Sequence, residues 1–492
     1  MTEAPINPRS QGLSRRAFLG RSLAASAAAW GLPSIGVAGA NEEIRIAVVG
    51  LNSKGSHHVD LFNRLPGVRV VALCDVDKIV LAQRAKQYFK GEISQYTDYR
   101  ELLDRKDIDA VCLATPNHWH ALGAVWACEA GKDVYLEKPI SHNLWEGRQI
   151  MAAAERYGRI VATGTQSRSA PGTREFMADV HAGAYGPVKL ARGLCYKTRN
   201  SIGKVIGPQA PPAHVDYNLW SGPRDPGPIL RQRFHYDWHW QWAYGNGDLG
   251  NQGPHQMDMC AWALGVDALP PRVVSLGGRF GYDDDGETPN TQIVLLDYPD
   301  APLVFEVRGL PDAKGKNHMS NYRGGRISVV IDFEGGYFVG SDGGIFYDNH
   351  GKRVKSYRSG LTTEHHENFI QAVRSRKAAD LHAPPFTGHL SSALCHMGNI
   401  SHRLGTSVSK EQLNEQCNGK GLRADIFSRL LEHALVHESD FSHRKMILGP
   451  ELAFDPKSER FTGHLADQAN ALIKDPYRDG FTIPELVDTA KS

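Results

Sequence analysis

Several broad functional classes are excluded by what the sequence lacks. Its seven cysteines (Cys74, Cys112, Cys128, Cys195, Cys260, Cys395 and Cys417) form no Cys-x-x-Cys pair. That argues against a zinc ribbon or a dithiol redox motif and leaves them as expected buried free thiols. A charge bias is missing too: 56 basic residues face 54 acidic ones, for a net charge of +2. Nucleic acid and an anionic membrane are therefore not expected as partners. No apolar run is long enough to cross a bilayer, so stable membrane insertion is not expected either. No repeat or low-complexity linker occurs. Histidine is abundant, at 22 residues, and His235 with His239, His433 with His437, and the pair His365-His366 invite metal readings. None has the accompanying carboxylate or Cys spacing of a specific motif, so no metal site is expected. What remains is a globular chain of 492 residues, 41% hydrophobic, suited to two or three domains and a small ligand.

The first forty residues read as an address. Ser14-Arg15-Arg16-Ala17-Phe18-Leu19 precedes an alanine-rich, weakly apolar run to Trp30, and Ala38-Gly39-Ala40 offers a small-residue cleavage site. The segment 1–40 resembles a twin-arginine export signal. That implies a periplasmic protein, exported already folded with any cofactor inserted.

Residues 41–163 alternate strand and helix. Ile44 to Val49 reads as a buried strand, Gly50-Leu51-Asn52-Ser53-Lys54-Gly55 as a turn into a helix, and Val68 to Cys74 as a second strand ending at Asp75. Strand, glycine turn, helix, strand and terminal carboxylate make a dinucleotide site, with Asp75 on the adenosine ribose. The acidic residue favours NAD over NADP, because it repels a 2′-phosphate. Asn52 replaces the second glycine of the usual pattern, and its tolerance of positive φ is expected to preserve the turn. Further strands at 109–114 and 132–136 and helices at 119–130 and 144–157 complete a doubly wound sheet. Ligands of such sheets lie beyond the carboxyl ends of the strands, where Thr115-Pro116-Asn117-His118-Trp119-His120 and Glu137-Lys138-Pro139 fall. A desolvated Lys138 beside a dinucleotide can polarise a substrate hydroxyl. A surface lysine after a strand is the competing reading.

From residue 164 the pattern changes to antiparallel strands: Val188 to Tyr196, Arg272 to Phe280, Gln292 to Tyr298, Leu303 to Gly309 and Arg326 to Phe333. The fold class is thus α/β, a Rossmann domain followed by an α+β domain (164–404) with a large, mainly antiparallel open sheet. One face of that sheet is expected to pair copies of the chain. Helices are expected from His365 and over 391–404, the latter packing back on the first domain. The extension 405–492 is expected to wrap the second domain. Gln166 and Arg168 follow the first domain's last strand and are candidates for substrate contact by position. Trp240, within Asp237-Trp238-His239-Trp240-Gln241-Trp242-Ala243-Tyr244, could stack on a sugar or belong to the core.

Gly250-Asn251-Gln252-Gly253-Pro254-His255-Gln256-Met257-Asp258 carries the remaining candidates. Pro254 suits a helix first turn, which puts His255 at a helix N-terminus, where the dipole would keep its imidazole neutral. Asp258, one turn on, would lie within reach of the ring. The same residues also fit a helix cap and its partner.

Together the glycine turn, Thr115-Pro116-Asn117 with His120, Glu137-Lys138-Pro139 and the segment 249–258 resemble the Gfo/Idh/MocA superfamily, which includes glucose-fructose oxidoreductase and inositol dehydrogenases. The resemblance implies hydride transfer between a nicotinamide cofactor and a sugar or cyclitol hydroxyl. Lys138 and His255 would flank the reacting carbon, and Glu137 would hold the nicotinamide ribose. The family has an aspartate where this chain has Asn251, and an amide cannot accept a proton. His255, alone or with Lys138, is thus the expected base, with Asp248 a possible substitute. An exported enzyme meets no nicotinamide pool, so the cofactor must be regenerated on the protein. Two routes satisfy this: return of the hydride to a second sugar, or transient oxidation and elimination that cleaves a glycosidic bond. Asn52 and Asn251 also admit a non-catalytic nucleotide or sugar binder.

Overall fold

The first strand, β1 (Ile44–Val49), is apolar except at Arg45 and buried along its length, as befits a parallel strand covered on both faces. A computed structural model describes residues 43–487. The export signal read at 1–40 lies outside the described residues. Around β1 lie β2 (Val68–Cys74), β3 (Ser94–Tyr96), β4 (Ala110–Leu113), β5 (Asp133–Leu136) and β6 (Val161–Thr163). Their order is β3-β2-β1-β4-β5-β6, and every pairing is parallel. The order reverses beside β1, which opens a crevice between the ends of β1 and β4. Helices α1 (Lys54–Asn63), α2 (Lys78–Phe89), α3 (Tyr99–Leu103), α4 (Asn117–Glu129) and α5 (Leu144–Arg156) connect the strands.

The second part is built on a 12-stranded sheet in which only β7 (Val188–Tyr196) and the strand Leu303–Arg308 run parallel; its other pairings are antiparallel. Two long helices, Gly247–Leu264 and Pro385–Arg403, pack against each other and the sheet. They approach closely: a Cβ on Gly253 would lie 2.8 Å from the Cys395 sulfur, which explains a glycine inside a helix. The Pro385–Arg403 helix starts earlier than its apolar stretch suggests and also packs on α5. The helix Glu364–Ser375 returns to the first sheet as well, burying Phe369 and Ile370 with Phe62 and Tyr135.

The extension does more than wrap the second domain. Its helix Leu422–Leu435 buries Phe427, Leu430 and Leu431 on the outer sheet face, against Val274, Ile293 and Val304. Thr406–Val408, Met446–Leu448 and Leu452–Asp455 become strands of the same sheet. Residues 475–483 then return to the first domain, where the Phe481 ring packs 5.7 Å from Trp119 and 6.1 Å from Trp126. Burying a ring of this size contributes about 1.5–3 kcal/mol. The sheet face read as free for a partner is thus partly covered by the chain itself. Among the described residues no helix is long and apolar enough to cross a membrane.

Candidate functional site

The glycine turn is dictated by close packing. Gly50 has φ +82°, and a Cβ there would lie 2.7 Å from the Ala114 carbonyl of the neighbouring strand. A Cβ on Gly55 would strike the Gly50 carbonyl oxygen. Asn52 corrects the expectation placed on it. It is exposed and is not among the residues with positive φ, so the turn does not need that conformation there. Among the described residues no side chain caps α1, which leaves its first N–H groups open to a pyrophosphate.

Asp75, 8% exposed, accepts the Leu51 N–H at 2.7 Å and the Asp77 N–H at 2.9 Å. Each oxygen keeps acceptor capacity for ribose hydroxyls. Burial raises its pKa. The buried Thr115 hydroxyl has no partner among the described residues and lines the same cavity. These groups fit a dinucleotide. Replacing Asp75 with serine is expected to cost about 1.5–3 kcal/mol of NAD affinity and to narrow the preference over NADP. Calorimetric titration of the apoprotein with both cofactors measures it.

The cavity, about 610 Å³, runs from this turn past Thr115, Pro116, Asn117, His120, Glu137 and Lys138 to Asn251 and His255. His120 bridges its loops, with Nδ1 2.5 Å from the Pro139 carbonyl and Nε2 2.8 Å from that of Thr115. Asn117 donates to the Asn246 side chain at 3.1 Å, pinning the following helix to the first domain.

Glu137 is buried. One oxygen lies 2.9 Å from His58 Nε2 and 3.9 Å from Lys54 Nζ; the other accepts the Lys138 N–H at 3.1 Å. Burial opposes its ionisation, but the His58 hydrogen bond and the charges of Lys54 and Lys138 hold its pKa well below the usual carboxylate range. His58 Nδ1 in turn meets His366 Nε2 at 2.9 Å. Burial lowers both imidazole pKa values, so His366 donates to His58 and His58 to Glu137. This Glu–His–His chain joins positions far apart in sequence, and no local pattern announced it. The His365-His366 pair is used here and at Thr163 and Ser169, where His365 finds its partners.

The helix carrying His255 begins at Gly247, not at Pro254, which sits inside it. His255 is therefore two turns in, and the helix dipole is not what keeps it neutral. Burial, then the Lys138 charge, lowers its pKa to about 3. Neither ring nitrogen has a hydrogen-bond partner among the described residues. Lys138 Nζ donates to the Asn251 carbonyl at 2.7 Å, one turn before His255, so both groups reach one wall of the cavity. Burial lowers the Lys138 pKa, and Lys54, Lys197 and Arg199 add to the effect.

Other candidates are separated from this wall. Asp258 does not reach His255: its buried carboxylate takes the Arg168 Nε at 2.8 Å, and that guanidinium stacks over Trp262 at 4.7 Å. Arg168 is thereby committed to the core. Asp248 is locked to the Arg199 guanidinium, 3.0 Å from Nε, and does not line the cavity, so it cannot replace the missing aspartate. Trp240 is buried beneath Arg199 at 5.5 Å, while Trp119, Trp220 and Trp238 line the cavity instead. Gln166 does line it. So do Lys197, Tyr236, His239 and Gln252, which sequence reasoning did not propose for the site. The aromatic run around Trp238 was the available signal for two of them. Among the described residues no cluster of three metal-ligating side chains occurs.

Comparison with known proteins agrees with the two-part fold. Residues 44–165 match the NAD-binding Rossmann fold of the Gfo/Idh/MocA oxidoreductase family, and residues 187–302 match its C-terminal alpha/beta domain. An alpha-N-acetylgalactosaminidase of Shewanella oneidensis is 36% identical over 122 residues, 23% of this chain and 27% of that protein. A glycosyl hydrolase family 109 protein of Shewanella pealeana is equally similar over the same shares. The chain thus matches about a quarter of the length of these relatives. The fold is shared with the WlbA dehydrogenase of Bordetella pertussis, solved with NADH and UDP-GlcNAcA. That structure is 18% identical with TM-score 0.54, covering 74% of this chain and 97% of the other.

Proposed function

We propose, for a chain that matches the models of both domains of the Gfo/Idh/MocA oxidoreductases at residues 44–165 and 187–302, that it oxidises a sugar or cyclitol hydroxyl with a tightly held NAD. The observation that carries this reading is the convergence of Lys138 and His255 on the cavity entered by the glycine turn. When bound, NAD supplies the hydride acceptor. Lys138 points an N–H at the substrate oxygen while another holds the Asn251 carbonyl. His255 takes the hydroxyl proton. Charge on either disfavours charge on the other, so the two act as a couple that accepts one proton between them. Glu137, kept ionised by His58 and Lys54, orients the nicotinamide ribose.

A second reading is a redox-neutral glycosidase, in which the oxidised sugar eliminates its aglycone and is then reduced again. The Shewanella relatives favour it, since one is named an alpha-N-acetylgalactosaminidase and another a glycosyl hydrolase family 109 protein. We extend the reading to a periplasmic protein exported through the twin-arginine segment at 1–40. It would pair copies through the part of the sheet that the extension leaves uncovered, where Tyr337 and Tyr347 stack half-buried at 5.1 Å.

Mass spectrometry of cofactor released from the purified protein, with glycosides incubated in heavy water, separates these readings. NAD with net oxidation supports a dehydrogenase. Solvent deuterium next to the oxidised carbon, with cleavage, supports the glycosidase. Neither cofactor nor turnover would leave a binding protein.

A further inference from the structure

Four histidines line the cavity: His120, His235, His239 and His255. Two are committed elsewhere. His120 lies between two backbone carbonyls, and His235 Nε2 meets the Asp77 carboxylate at 2.7 Å. The other two belong to different elements, the long helix Gly247–Leu264 and the short turn Asp237–Trp240.

His239 is the better organised of this pair. Its ring stacks on Trp238 with centroids 3.8 Å apart and planes 19° apart. Its Nδ1 lies 2.5 Å from the Tyr236 carbonyl oxygen, which can only accept. Nδ1 therefore carries the proton, and Nε2 presents a lone pair with no partner among the described residues. Burial, opposed by the Tyr236 bond and reinforced by the charges of Lys138 and Arg199, holds its pKa at about 4, so the ring is neutral. An imidazole with its tautomer fixed by a carbonyl and its other nitrogen bare is arranged as a general base.

Oxidation of a hydroxyl releases one proton from oxygen, and Lys138 with His255 already provides for it. A second base is superfluous for a simple dehydrogenase, whereas elimination needs one. We propose that His239 is a catalytic residue whose Nε2 removes the proton from the carbon lying between the oxidised carbon and the anomeric carbon; this rests on the glycosidase reading above. The C–H electron pair becomes a double bond to the anomeric carbon as its bond to the aglycone oxygen breaks. The departing oxygen takes a proton from water. The hydroxide left from that water adds to the anomeric carbon, and His239 returns its proton to the neighbouring carbon. Return of the hydride, with the proton that Lys138 and His255 held between them, restores the hydroxyl, so the sum is hydrolysis without net redox change.

The test uses the NAD-loaded protein with nitrophenyl glycosides, beginning with the α-N-acetylgalactosaminide, in heavy water. In the H239Q variant, reduced nicotinamide is expected to form on mixing, while nitrophenolate release and solvent deuteration of the sugar fall by about 10²–10⁴-fold. Added imidazole is expected to restore both in H239A. Cofactor retained by each variant, read by mass spectrometry after denaturation, shows the site intact. If H239Q loses its cofactor, H239N and the rescue of H239A decide. Wild-type deuteration in H239Q, or no rescue of H239A with cofactor retained, would overturn the role of His239. If the unaltered protein forms reduced nicotinamide but never deuterates or cleaves any glycoside, the glycosidase reading itself has failed.

Discussion

Replacing Lys138 with methionine is expected to lower turnover by about 10²–10⁴-fold while NAD remains bound. Methionine keeps the length and apolar stem of lysine, so the cavity wall stays filled. It removes the donor that reaches the Asn251 carbonyl at 2.7 Å and, with it, the N–H proposed to meet the substrate oxygen. The loss should appear in kcat, because the charge matters most as the oxygen becomes an alkoxide. A second effect has a definite sign. After burial, the Lys138 charge is what holds the His255 pKa at about 3. Without it that pKa rises, and the residual activity of the variant should be lost on acidification at a higher pH than in the unaltered protein. A pH–rate profile beside NMR titration of His255 checks both. Unchanged kcat would remove Lys138 from the chemistry.

The largest stability effect is expected from Asp248→Ala. This deletion leaves the Arg199 guanidinium, 8% exposed, without its carboxylate. Removing one partner of a buried pair costs about 3–5 kcal/mol, because the remaining charge is desolvated and uncompensated. Urea denaturation measures it. The double variant D248A/R199M should recover part of the loss, since no buried charge is then stranded. Turnover per folded molecule in D248A should persist, because Asp248 does not line the cavity. Loss of turnover without loss of stability would return Asp248 to the role of base.

These two residues also show where sequence was legible and where it was not. Gly50, Gly55, Asp75 and Glu137-Lys138-Pro139 act through local constraints: a tight turn, a strand end and a loop. Each could be read in place, as could the alternation of strand and helix around them. Helix boundaries near His255 were misread because Gly247-Asp248-Leu249-Gly250 and Pro254 carry turn signals. The helix persists through them because it is buried between β7 and the helix Pro385–Arg403, a tertiary effect absent from local propensity. Asp248 and Asp258 look alike in sequence as acids beside a histidine. Their partners, Arg199 and Arg168, lie 49 and 90 positions away, and no periodicity reports such pairs. The His58–His366 contact spans 308 positions and was equally invisible. In sequence His239 stands out as half of a metal-like pair and as part of the aromatic run; its tautomer depends on where the Tyr236 carbonyl points, which only the fold determines.

The return of residues 475–483 to the first domain has a consequence for the order of assembly. Phe481 packs on Trp119, whose ring is part of the nucleotide cavity. A ribosome makes Trp119 long before Phe481, so the parallel sheet can form early while this wall of the cavity still lacks its backing. Capture of the cofactor in its finished site is therefore expected to wait until residues 475–483 have emerged and docked.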